Sequence, residues 1–136
     1  MIYLLDTNIL IYLIKNKPPQ VAKRIDQLAD NDRLVMSFVT WAELLRGAEG
    51  SLRRTDTLKQ LDVLARQVLA IYPEDDGICR HYAAQATSLK RQGTPIGGND
   101  LWISCHALAI GATLVSHNVR EFARIDGLTI VDWAAE

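Results

Sequence analysis

Three acidic residues, Asp6, Glu43 and Asp100, stand where short apolar runs give way to helical patterns. Carboxylates brought together repel one another, so at neutral pH such a group either holds raised pKa values or binds a hard cation. Magnesium suits oxygen ligands of this kind, with manganese as the alternative. Such an ion takes one or two carboxylates, keeps several waters and completes its shell with a substrate phosphate. That pattern points to phosphodiester or phosphoryl chemistry, with a metal-activated water as nucleophile.

Each residue also has a purely structural use. Asp6 is a preferred cap for the helix expected from Asn8. Thr40 and Glu43 have the spacing of a capping box. Asp100 is a further candidate cap, although a carboxylate entering an apolar helix beside Gly97-Gly98-Asn99 is costly to bury without a partner. His81, His106 and His117 show no zinc spacing, and neighbouring Cys105 and His106 point apart on a helix, so these read as structural. Of the basic residues, Arg46 falls one helical turn past Glu43 and is placed to reach a phosphate held there.

For three distant acids to meet, separate strands must deliver them to one edge. Ile2 to Leu5 reads as a strand buried on both faces, ending at Asp6. Helical spacing follows from Asn8 to Ile14 and from Val21 to Leu28, divided by Pro18 and Pro19. Leu34 to Phe38 is a second strand, and the helix opening at Thr40 places Glu43 in its first turn. A helix from Asp56 to Val68 leads into a strand to Tyr72, and Pro73 with Glu74, Asp75 and Asp76 starts a long helix to Gln92. After the irregular segment from Gly93 to Asn99, Asp100 begins a nearly all-apolar helix to Ile110, expected at the centre of the domain. Strands at Ala112 to Ser116 and Leu128 to Val131 flank a short helix from Asn118 to Ile125. This alternation predicts an α/β fold: one domain over residues 1–136, with a central parallel sheet of four to five strands flanked by helices. Its ligand site belongs at the carboxyl ends of the strands.

The totals agree with one compact domain. The 136 residues are 49% hydrophobic and 23% charged, and the net charge of −1 gives polyanion binding no support beyond local basic patches. Two cysteines, Cys79 and Cys105, read as reduced thiols in helices. Neither a signal peptide nor an apolar run long enough to span a bilayer is legible, so a cytoplasmic protein without membrane contact is expected.

The segments Leu4-Leu5-Asp6-Thr7-Asn8-Ile9-Leu10, Glu43-Leu44-Leu45-Arg46-Gly47 and Gly98-Asn99-Asp100-Leu101-Trp102-Ile103-Ser104 resemble the successive motifs of the PIN-domain ribonucleases. Within that family the likeness is to the VapC-type toxins of type II toxin-antitoxin pairs. It extends through Gly93-Thr94-Pro95, Asn118-Val119-Arg120-Glu121-Phe122 and Asp132-Trp133. The resemblance implies that Asp6 and Asp100 bind the metal, directly or through water, and that Glu43 completes the cluster and orients or deprotonates the attacking water. A fourth acidic group commonly follows the penultimate strand in the family. Here Ser116 and Asn118 occupy that region as substrate contacts, and Glu121 either supplies the charge or is a solvated helix residue paired with Arg120 or Arg124.

The implied activity is a toxin endoribonuclease acting on structured RNA, with the tRNA anticodon arm as a first substrate. Silencing by a VapB-type antitoxin in a hetero-oligomer is implied too, as is a homodimer through Leu10, Ile11, Leu13 and Ile14, for which a core helix is the alternative. The competing class is a catalytically inactive PIN-like binding module. A phosphatase using Asp6 as nucleophile would require a second Asp where Asn8 stands.

Overall fold

The computed structural model describes all of residues 1–136. In chain order the elements are β1 (Ile2–Leu5), α1 (Thr7–Lys15), α2 (Gln20–Asp26), β2 (Arg33–Ser37), α3 (Phe38–Glu49), α4 (Arg54–Gln67), β3 (Leu69–Ile71), α5 (Gly77–Gln92), α6 (Gly98–Ile110), β4 (Thr113–Val115), α7 (Val119–Phe122) and β5 (Ile130–Val131). The five strands form one wholly parallel sheet in the order β3-β2-β1-β4-β5, so β1 is its middle strand.

Side chains alternate across the sheet with the period of two that a strand imposes. Leu5, Met36 and Val115 meet Leu10 of α1, Val21 of α2, Leu44 of α3 and Leu64 of α4. Leu4, Val35 and Leu114 turn the other way, onto Ile103 and Ala107 of α6 and Phe122. Burial on both faces explains why these strands read as continuous apolar runs. α6 lies between the sheet and α5, where Leu101 and Cys105 pack with Ile78 and Leu89, and this accounts for its lack of a polar face. Gly93 and Gly111 close α5 and α6 at φ 69° and 65°, a left-handed turn that costs glycine least.

Several boundaries differ from the sequence reading. α3 starts at Phe38 because the Ser37 hydroxyl accepts from the Val39 amide at 3.2 Å. Thr40 is therefore not a cap, the capping box with Glu43 does not form, and Glu43 lies in the second turn. Glu74, Asp75 and Asp76 precede α5 rather than opening it, with Asp75 Oδ1 accepting from Gly77 N at 2.8 Å. α6 begins at Gly98 with Gly97 at its cap position, so Gly98 and Asn99 are helical and Asp100 is a first-turn residue, not a cap. Leu10 is fully buried in the core, which removes it from the expected dimer face, whereas Ile11, Leu13 and Ile14 are half-buried. No helix is long and apolar enough to cross a membrane.

Candidate active site

Asp6 leaves the carboxyl end of β1 and caps α1, its Oδ1 accepting from Ile9 N at 2.9 Å. The capping use and the site use therefore coexist in one carboxylate. The Asp6 amide donates to Val115 O at 3.0 Å, which pins the strand end to β4. Ser116, the next residue of that chain segment, is fully buried, its Oγ accepts from Asn118 N at 3.0 Å, and its hydroxyl lies near enough to the Asp6 carboxylate to oppose the rise in its pKa. Buried and engaged by its own chain, Ser116 is not exposed as the substrate contact expected of it.

Asp6 is 5% exposed, and its pKa is raised, first by burial and then by the charges of Glu43 and Asp132; the bonds from Ser116 and Ile9 oppose the rise. Asp100, in the first turn of α6, is pushed up to about 6 by desolvation, with the charges of Glu121, Asp6 and Glu43 adding to it. The topology therefore brings Asp6, Glu43 and Asp100 into one another's fields from three separate elements. None of the three forms an ion pair with a Lys or Arg.

Glu43 is held from across the site. Thr7 Oγ1 donates to Glu43 Oε1 at 2.7 Å and lies 3.3 Å from Thr40 Oγ1. A carboxylate only accepts, so the Thr7 hydroxyl is the donor to Glu43 at the shorter distance, with Thr40 Oγ1 the weaker second acceptor. Arg46 is exposed, and shares a shallow polar hollow with Glu43, Gly47, Gly50 and Asn99, as its spacing predicts.

Glu121 is not paired with an arginine. Its Oε1 accepts from Gly97 N at 3.0 Å and its Oε2 from Asn118 Nδ2 at 2.8 Å, while Arg124 donates to Pro95 O at 2.9 Å. These bonds, the one from Gly97 foremost, lower its pKa. Glu121 thus ties the start of α7 to the start of α6, and its charge acts on Asp100. Asn118 is exposed, and its side-chain amide is engaged by Glu121.

In the sequence Thr7 and Asp132 stand only as members of the quoted motifs and His117 reads as structural, so none of the three is given a place at the site that the structure gives it. Asp132 follows β5 as Asp6 follows β1, its charge reaches Asp6, and its Oδ2 lies 2.9 Å from His117 Nδ1. An acid immediately after a parallel strand was the available signal. It was weak because the strand before Asp132 is only two residues long.

No three His, Cys, Asp or Glu side chains converge closely enough to enclose an ion unaided. An all-oxygen donor set without a cationic partner fits a hard divalent ion held by one or two carboxylates, with water and phosphate filling the rest of its shell.

A family model described as PIN domain matches residues 3–128. Ribonuclease VapC1 of Haemophilus influenzae is 53% identical over 133 residues, spanning 98% of either chain. The tRNA(fMet)-specific endonuclease VapC of Salmonella typhimurium is 36% identical over 131 residues, 96% of this chain and 97% of that relative. The solved structure of VapBC-1 from nontypeable Haemophilus influenzae superposes with a TM-score of 0.93 at 52% identity, covering 99% of this chain and 100% of that one.

Proposed function

The chain belongs to the PIN-domain family, and from that premise we propose that it is a VapC-type toxin endoribonuclease whose hydrolysis of RNA depends on magnesium at the Asp6, Glu43 and Asp100 cluster. The observation that carries this reading is the meeting of Asp6, Glu43 and Asp100 at one end of the sheet, with Asp6 and Asp100 raised in pKa and none of the three paired with a Lys or Arg. An inert scaffold would have no reason to retain that unfavourable charge.

Asp6 and Asp100 are the residues that would hold the ion, with Glu43 beside them. When bound, the ion neutralises the cluster, positions the scissile phosphate and makes water a stronger nucleophile. The chain's own groups then have separate tasks. Thr7 fixes Glu43 so that one carboxylate oxygen is free to orient and accept a proton from the attacking water. The Ile9 amide keeps Asp6 oriented through its Oδ1. Arg46 supplies the cation that a phosphate would meet on entering beside Glu43.

The Salmonella relative's name makes transfer RNA the first substrate class for this chain, and the VapBC assembly makes a VapB-type antitoxin its partner. The test is cleavage of total small RNA by the folded wild type, Asp6→Asn and Asp100→Asn, with magnesium and with EDTA. Metal-dependent cutting lost in both variants is the expected result. Cutting that survives EDTA or either substitution would overturn the mechanism.

A further inference from the structure

A second set of side chains stands beside the acidic cluster on the same edge of the sheet. Asp6, Ser116 and Asp132 follow paired positions of β1, β4 and β5, since Leu5 is opposite Val115 and Val115 opposite Val131. The ladder continues past the strands, with Asp6 N donating to Val115 O and Ser116 N to Val131 O, each at 3.0 Å. These three residues therefore form one row across adjacent strands, which in a sheet lie about 4.8 Å apart. His117 comes next after Ser116 and joins the row through Asp132, whose Oδ2 lies 2.9 Å from His117 Nδ1.

Asp132 holds His117, and not the reverse. Its Oδ1 accepts from Ala134 N at 2.9 Å and from Ala135 N at 3.1 Å, so the backbone alone fixes this carboxylate. The Asp132 side chain is largely covered, whereas that of His117 is 55% exposed. A carboxylate only accepts, so Nδ1 carries the proton of the bond, and a neutral imidazole held in this way offers Nε2 as an acceptor. The Tyr12 ring of α1 packs against the imidazole at 70°, with centroids 6.3 Å apart, and limits its swing. The result is an exposed acceptor kept in one orientation beside the carboxylates.

The strand order sets where this acceptor stands on a substrate. β1, with Asp6 at its end, lies between β2, which leads into α3 with Glu43 and Arg46, and β4, which leads to His117. An RNA strand crossing this edge meets Arg46 on one side of Asp6 and His117 on the other. Arg46 suits a phosphate, but a neutral Nε2 needs a donor, and the 2′-hydroxyl is the one donor that an internal stretch of RNA sugar–phosphate backbone carries. Building on the ribonuclease reading above, we propose that His117 Nε2 accepts from the 2′-hydroxyl of a nucleotide adjoining the scissile phosphate. Asp132 is its positioning residue, and the pair makes the site select ribose over deoxyribose.

The test uses an oligoribonucleotide spanning a cut mapped with the wild type in total small RNA, and copies of it with a single 2′-deoxy or 2′-fluoro sugar at each nucleotide flanking the cut. Wild type and His117→Phe are assayed with magnesium at about pH 8, above the usual histidine pKa of about 6.5. At one flanking position the deoxy sugar should lower the wild-type kcat/KM about tenfold, the effect of one hydrogen bond, and the fluoro sugar, which cannot donate, should do the same. His117→Phe should cut the all-ribose strand about tenfold more slowly and lose nothing further at that position. It should keep the wild type's rise in Tm with magnesium, which separates a lost substrate contact from damage to the carboxylates. Equal deoxy penalties in both proteins, no penalty in the wild type, or full rescue by fluorine would overturn this inference and leave the ribonuclease reading intact. No metal-dependent cutting of RNA at all would overturn both.

Discussion

At neutral pH the Asp100 carboxylate, its pKa about 6, is ionised although Glu121, Asp6 and Glu43 face it. The folded state holds the Asp100 proton more tightly than the unfolded chain does, so without metal this residue's contribution to stability falls as pH rises from about 4 to about 6 and stays low above that. Asp100→Asn should therefore raise the melting temperature of the metal-free chain at pH 7.5, lose that advantage below pH 4, and lose the stabilisation that magnesium gives the wild type; calorimetry across pH reads all three. A Thr7 change separates positioning from ligation. Thr7→Val keeps the shape but removes the hydroxyl that donates to Glu43 at 2.7 Å. A hydrogen bond to a charged group contributes about 1.5–3 kcal/mol, so kcat should drop roughly 10- to 100-fold with metal affinity nearly unchanged, and Thr7→Ser should restore it.

Helix starts decide where the side chains land, and there sequence and structure part company. β1 with Asp6, and the buried α6 with Asp100 in its first turn, were legible because uninterrupted apolar runs leave few alternatives. The start of α3 was not, because Ser37 and Thr40 are both acceptable caps in sequence and only the strand register, Ser37 opposite Ile71, selects Ser37. Placing Glu43 one turn deeper is what lets Thr7 reach it. Glu121 is a named candidate in the sequence, but its partner is not legible there, because the Gly97 amide comes from a segment with no periodic pattern. Ser37→Ala removes the α3 cap and the hydroxyl bonded to His106 Nδ1, so urea denaturation should show a loss of about 1–3 kcal/mol.

Over the whole molecule the charges nearly cancel, at −1, while the site concentrates negative charge at one sheet edge. A divalent ion that binds only the folded chain should therefore be visible in global stability. Magnesium at a hundred times its Kd stabilises by about 2.7 kcal/mol, which for a chain of this size is a rise in Tm on the order of 10 °C, reversed by EDTA. A flat response in calorimetry would argue against metal at the cluster. The strand order carries a different consequence, one of timing. β1 is the first strand a ribosome delivers, yet it is the middle strand, and it stays open on one side until β4 is made. The Asp6 amide can be pinned by the Val115 carbonyl only when β4 has emerged. The acidic site is therefore one of the last parts of this fold to be completed as the domain is made.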